Sequence, residues 1–351
     1  MVRRRLILGA GLAAPLAYVR RGWAQGKSIN VGTYTGPQGD FVRRQVIPKF
    51  QSDFGCRVYQ TEGVTLGQIA ILRTQKANPT YDVMFMDDVG VPVAKDEDLI
   101  AALPRDKMPN LERLLPRFLL NDGFAAAFAV SVVTPFYNTG AVASFESWEQ
   151  LWDPRFKGRF MAVTPKQTQS VQLLVAAAAL ATGKPFQEAQ YQIDSGWDKL
   201  AALKPNVQTV YDNNVTAVLQ VAQGQADVAG PDFSKTVLPY AAKKAPVAMS
   251  YPKEGVFGGV NTLTVVKDGP NPDLGAAFAD RMLDPAIQKG LSEFTFAAPT
   301  VSGITLNAET AKHAAYPAAR MDEMKLVTID WSAINPKRGS IVEKYNQVFG
   351  S

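Results

Sequence analysis

The chain has 351 residues, 46% of them hydrophobic and 20% charged, with a formal net charge of +5, one Cys and one His. A single Cys excludes an internal disulfide, and one Cys with one His leaves too few ligands for a zinc site of the usual kinds. The basic balance does not argue for nucleic acid: residues 1–24 hold five Arg and no acid, and without them 32 basic residues face 32 acidic ones.

Those first residues read as an export signal. Arg3, Arg4 and Arg5 precede an apolar run from Leu6 to Val19, and Gly22-Trp23-Ala24 offers a small-x-small cleavage site. The Arg pair before Leu6 and Ile7 resembles a twin-arginine signal, with a Sec signal and an uncleaved anchor as alternatives. Cleavage near Ala24-Gln25 would leave an exported, periplasmic chain with no stable membrane insertion. Its length fits two domains.

In chain order, "SINVGTY" predicts a strand. "GDFVRRQVIPKFQSDFG" predicts a helix capped by Asp40, kinked or shortened at Pro48 and closed by Gly55. "CRVYQTE" is a strand, "TLGQIAILRTQKANP" a helix, "YDVMFMDD" a buried strand ending in two acids, and "GVPVAKDEDLI" a short helix or turn. "GFAAAFAVSVVTPFYNT" is a long apolar run and reads as a strand crossing between domains. A second alternation follows. "RFMAV", "VQTVYD", "ADVAG" and "PVAMSYP" are strands; "SVQLLVAAAALATG", "QEAQYQIDSGWDKLAAL", "NVTAVLQVAQGQ" and "KTVLPYAAKK" are helices. "GGVNTLTVV" reads as a second crossing strand. "DLGAAFADRMLDPAIQKGLSEF" is helical, and "NPKRGSIVEKYNQVF" is a final amphipathic helix.

Strands alternating with helices predict an α/β fold. Two such halves joined by crossing strands predict a bilobal molecule hinged around a cleft. The expected division is 28–133 with 261–305 as one lobe and 134–260 with 306–351 as the other. Ligands of open α/β sheets sit beyond the carboxyl ends of the strands. Polar clusters at those ends are the candidate ligand residues: Thr33 and Tyr34, Asp87 and Asp88, Lys166 to Gln169, Asp212 and Asn213, and Asp232.

The turn in "FMAVTPKQTQSVQLL" is the most donor-rich of these. Thr164, Gln167, Thr168, Gln169 and Ser170 surround a single charge, Lys166, at a helix start whose free N–H groups favour an anion. Read alone, the turn is more simply a cap by Thr168 or Ser170 with Lys166 in solvent. Cys56 reads as a small core residue. Trp148, Leu151 and Trp152 stand at helical spacing and read as core.

Three segments carry a family resemblance: "SWEQLWDPRFKGR", "VLQVAQGQADVA" and "YPKEGVFGGVNTLTVV", with "YDVMFMDD" as a weaker fourth. They resemble the extracellular solute-binding proteins of ABC transporters, in the branch of the spermidine/putrescine-binding proteins. The resemblance covers nearly all of the exported chain. It implies a periplasmic-binding-protein-like fold, a monomer, closure on a small-molecule ligand, delivery to an ABC transporter permease, and no cofactor.

Polyamine receptors of that branch hold ammonium groups with carboxylates and stack methylenes on aromatics. The corresponding acidic positions fall here on Lys166, Gln169 and Asn261, and an aromatic position falls on Gly259. A Lys facing a diammonium ligand is repulsive by several kcal/mol at an effective dielectric of about 20. The expected ligand is therefore a small organic anion or a zwitterion, with a polyamine as the alternative. Asn261 and Phe257 complete the expected ligand set. Iron is disfavoured because no Tyr-Tyr pair is present. Two further readings remain: a thiaminase-like transferase, which would need Cys56 as nucleophile, and a sensor of the same fold.

Overall fold

The computed structural model describes residues 27–350, so the expected signal lies outside the described residues. Eleven strands are β1 (Ser28–Tyr34), β2 (Arg57–Gly63), β3 (Val83–Asp87), β4 (Ile100–Ala101), β5 (Leu119–Leu120), β6 (Ala125–Asn138), β7 (Phe160–Val163), β8 (Val207–Tyr211), β9 (Val228–Phe233), β10 (Val247–Met249) and β11 (Phe257–Val266). They form one hydrogen-bonded path, β2-β1-β3-β11-β6-β9-β7-β8, with β4 on β11 and both β5 and β10 on β6.

The path is continuous because the two crossing strands belong to both halves. In the first half β1 pairs in parallel with β2 and β3, and in the second β7 pairs in parallel with β8 and β9. Antiparallel β6 and β11 lie between them, Phe257 opposite Val133 and Leu263 opposite Ala126. Each crossing strand breaks register near the expected crossing point, β11 between Asn261 and Thr262 and β6 between Thr134 and Phe136. Pro135 has no N–H to donate, so the second break falls where a ladder bond cannot form.

Buried apolar side chains separate along the same line. Ile29, Phe50, Phe85, Phe128 and Phe278 pack in one core; Trp148, Phe160, Phe186, Leu200 and Tyr345 pack in another. The C-terminal stretch does not go wholly to the second lobe as expected. Ala314, Tyr316, Met321 and Leu326 join the first core, and from Val327 onward the chain packs on the second. The Arg117 guanidinium fastens this return by donating to the Leu326 carbonyl at 2.9 Å.

Local differences from the predicted elements have local causes. The first helix begins at Pro37 after Gly36, so Asp40 is not its cap; it lies in the first turn and pairs with Arg43 at 2.8 Å. A π-helical stretch, Val42–Val46, precedes Pro48, whose missing N–H breaks the regular ladder. The single helix expected over 187–203 is broken at Gln192, which has non-helical backbone angles, into short turns. The long helix expected over 273–294 is two, Pro272–Met282 and Pro285–Thr295, because Asp284 caps the second and Pro285 starts it. No helix among the described residues is long and apolar enough to cross a membrane.

Candidate ligand-binding site

A cavity of about 540 Å³ opens between the halves, beyond the carboxyl ends of β1, β2 and β3. Tyr34, Gln38, Val64 and Asp87 wall it from the first half; Asn214, Phe233, Lys235 and Tyr240 wall it from the second. A hydrogen-bonded group that no local pattern announces joins the two walls. Asn261 of β11 donates its amide to Asp87 at 2.7 Å and accepts from Gln38 at 2.9 Å and from the Lys235 ammonium at 3.0 Å. The Asp87 carboxylate also accepts from Thr65 at 3.0 Å.

Lys235 reaches this place because β9 runs directly into the helix Ser234–Ala242. The Ser234 hydroxyl accepts from the Val132 N–H at 3.1 Å and holds the helix start against β6. The Lys235 Nζ then lies 5.8 Å from the Tyr34 ring centroid and 5.2 Å from that of Phe233. Its direct partners are amide oxygens: Asn261, and Gln38 at 3.4 Å. Burial pushes the ammonium below its ordinary pKa, while the charges of Asp87 and then Asp232 oppose that shift.

Tyr34 is 8% exposed, and its hydroxyl has no hydrogen bond of acceptable geometry, although Asp87 and Asn261 lie close enough to act on it. Burial first, and the Asp87 charge second, push this phenol well above its ordinary pKa, so it stays a potential donor. Asn214 contributes a second orphan, a buried side-chain oxygen without a partner. The wall therefore offers an ammonium, a phenol, a carboxylate and an amide oxygen around apolar surface.

Residues 45–318 match the family of bacterial extracellular solute-binding proteins. The chain belongs to that family. A curated relative, the spermidine/putrescine-binding periplasmic protein of Escherichia coli K12, is 22% identical over 269 residues, 74% of this chain and 75% of that protein. Two solved structures share the bilobal fold. One is a spermidine/putrescine transporter substrate-binding protein from Streptococcus pneumoniae (TM-score 0.76, 18% identity, 92% of this chain, 99% of that one). The other is the periplasmic binding protein AfuA from Actinobacillus pleuropneumoniae with fructose-6-phosphate bound (TM-score 0.72, 17% identity, 92% and 99%).

Within this solute-binding protein, the residues expected from sequence have unequal positions. Tyr34 and Asp87 line the cavity, and Asn261 ties Asp87 to Lys235. The Thr33 hydroxyl is turned into the first lobe, where it accepts from Gln60 at 2.7 Å. Asp88 stands beside the cavity wall, its carboxyl raised well above the usual range by burial and then by Asp87. Asp232 is fully buried beneath the wall and bonded to Tyr211 at 3.2 Å. Phe257 does not reach the cleft; it stacks on Phe186 at 4.5 Å inside the second core, since the strand's alternation sends it to that face.

Lys166 is exposed and does not wall the cavity, and Asp212 and Asn213 are exposed as well. Gln167 donates to the Asp212 carbonyl at 2.6 Å and Asn213 caps its own helix, so these side chains serve the turn. Gln169 donates to Gln167 at 3.1 Å, and Thr168 lies half-buried beside it. The turn's carbonyls meet a cation from far along the chain: Arg338 donates to Pro165 and Lys166 oxygens, both at 3.5 Å. Lys235 and Gln38 are the site residues that the sequence reading missed. In the sequence Lys235 only opens the predicted helix "KTVLPYAAKK", a position that by itself marks no ligand group.

Gly259 has no side chain because Phe233 occupies the space above it. A Cβ there would lie 2.4 Å from the Phe233 ring. Gly259→Ala should therefore drive Phe233 from its seat beside Lys235, at a cost of about 1–3 kcal/mol for overpacking. A lowered melting temperature is the expected reading; an unchanged one would show that the ring moves freely.

Proposed function

We propose that this solute-binding protein carries a small organic anion or zwitterion to its permease, held in the cleft between the lobes. The observation that supports this most is the Lys235 ammonium in the cavity wall, bonded to neutral amides and left with a donor free. An ammonium has three N–H donors, and the two amide oxygens take two. An incoming anion supplies the missing partner. Tyr34 can donate to the same anionic group. Asp87 and the Asn214 oxygen suit an ammonium on a zwitterion's other end. A polyamine would place a second cation against Lys235, unfavourable by several kcal/mol.

In this reading Lys235 is the principal cation of the cleft. The chain acts as a receptor, not as an enzyme. Cys56 lies before β2, at the end opposite Gly63 and the cavity, and burial raises its thiol's pKa. That is a poor setting for a nucleophile. Residues 1–24 direct export and are removed, and N-terminal sequencing of protein from its native host should begin near Gln25. An intact Met1 or Val2 on a membrane-retained chain would overturn that part.

A melting screen of the exported form against small carboxylates, phosphonates, amino-acid-like compounds and polyamines tests the ligand class. A ligand at about 100-fold its Kd adds roughly 2.7 kcal/mol. An acid or zwitterion should give the shift. Lys235→Met should weaken that ligand by about 1.5–3 kcal/mol, the worth of a charge-assisted hydrogen bond. Stabilisation by polyamines alone would refute the reading.

A further inference from the structure

The surroundings of the Lys235 Nζ are those of a receptor for an ammonium group. Two aromatic rings face it at 5.8 and 5.2 Å, and ring faces attract cations at such distances. Two amide oxygens accept from it at 3.0 and 3.4 Å. The Asp87 carboxylate favours its charge, and so does Asp232 when ionised. The parts come from β1, β3, β9, β11 and the helix after Gly36, so the box is assembled by the tertiary fold and not by the lysine's own helix. Orientation is fixed independently of Lys235: Asn261 is held by Asp87, and Phe233 is seated over the bare backbone of Gly259.

We propose that Lys235 is the specificity-determining residue of the cleft, a tethered ammonium filling a preformed ammonium box. With the lysine in place the box is satisfied from within, and a solute meets only its outward N–H. With the lysine shortened, the same rings, amides and carboxylates should take a free alkylammonium. This deepens the proposed function and rests on it for the charge class of the natural solute. The inference about the box itself has its own test.

Lys235→Ala removes the side chain beyond Cβ, a piece matched by n-propylammonium. Circular dichroism first establishes that the variant is folded; Lys235→Ser, which vacates nearly the same space, replaces it if the alanine form does not fold. Melting and calorimetric titrations with n-propylammonium chloride are then run on wild type, K235A and K235M. K235A should show saturable binding and a rise in melting temperature at millimolar probe. Wild type and K235M should show neither, because lysine or the methionine thioether fills the box. Adding Asp87→Asn to K235A should weaken the probe by about tenfold or more, as loss of a facing charge requires. A folded K235A or K235S that binds the probe no better than wild type overturns the proposal. Tight putrescine binding by wild type overturns the anion reading, a result separable from the probe's behaviour in K235A.

Discussion

Replacing Trp148 by alanine should destabilise the protein by about 4–5 kcal/mol, the largest single-residue effect expected outside the cleft. Trp148 is fully buried and packs edge-on against Phe186 at 5.9 Å and Phe257 at 5.6 Å. Its indole N–H donates to the Gly255 carbonyl at 2.9 Å, immediately before β11 begins. The preceding residue reinforces the joint: the Glu254 carboxylate accepts from the Ser147 hydroxyl and from the Trp148 N–H. Truncation would leave a cavity beside the Phe186 and Phe257 rings and an unpaired buried carbonyl. Trp148→Phe retains most of the apolar contact and should cost about half as much, chiefly through the lost hydrogen bond and volume. Urea unfolding with an unchanged m-value measures both. A loss of less than about 2 kcal/mol for the alanine variant would mean that the second core collapses to fill the site.

Stability should also fall as pH rises from about 5 to about 7, and Asp232 should account for much of the fall. Its carboxyl is raised from 3.8 to about 7, first by burial, against the opposing effects of the Phe233 N–H, Tyr211, Lys235 and Gln169. Across that window the folded protein keeps a proton that the unfolded chain has released. The unfolded state binds fewer protons, so stability declines with rising pH, by at most about 1.4 kcal/mol per unit, and levels off above the folded pKa. Over the whole span from the ordinary carboxylate pKa to the folded one the total approaches about 4 kcal/mol, of which about 2–3 kcal/mol falls between pH 5 and 7. Asp88 is raised too and adds a slope of the same sign.

Asp232→Asn should therefore flatten the profile in part and stabilise the protein at about pH 8. The amide still accepts from the Phe233 N–H, now 2.7 Å from the carboxylate, and turns a donor toward Tyr211. Unfolding free energies of wild type and variant across the window give the difference directly. Parallel profiles would show that Asp232 is ionised in the fold at all these pH values.

The elements themselves were largely written in the sequence. Apolar runs such as "VMFMD" and the Gly-, Asn- and Pro-bearing turns between them depend on neighbours a few positions away. β1 accordingly has the bounds its pattern implies, and the crossing strand around "AVSVV" is recognisable by its length and its lack of polar alternation. The solute-binding resemblance was legible for the same reason, in short segments with strong burial. Which charges face the cleft was not legible. The turn bearing Lys166 has the composition of an anion site, yet its carbonyls meet Arg338, more than 170 residues away in the chain. Lys235 looks like any helix-start lysine until β6, β9 and β11 pair and bring Asn261, Gln38, Tyr34 and Phe233 around it. A charge is defined by its partners and its exclusion from water, and here both are set by contacts between distant segments that no local periodicity encodes.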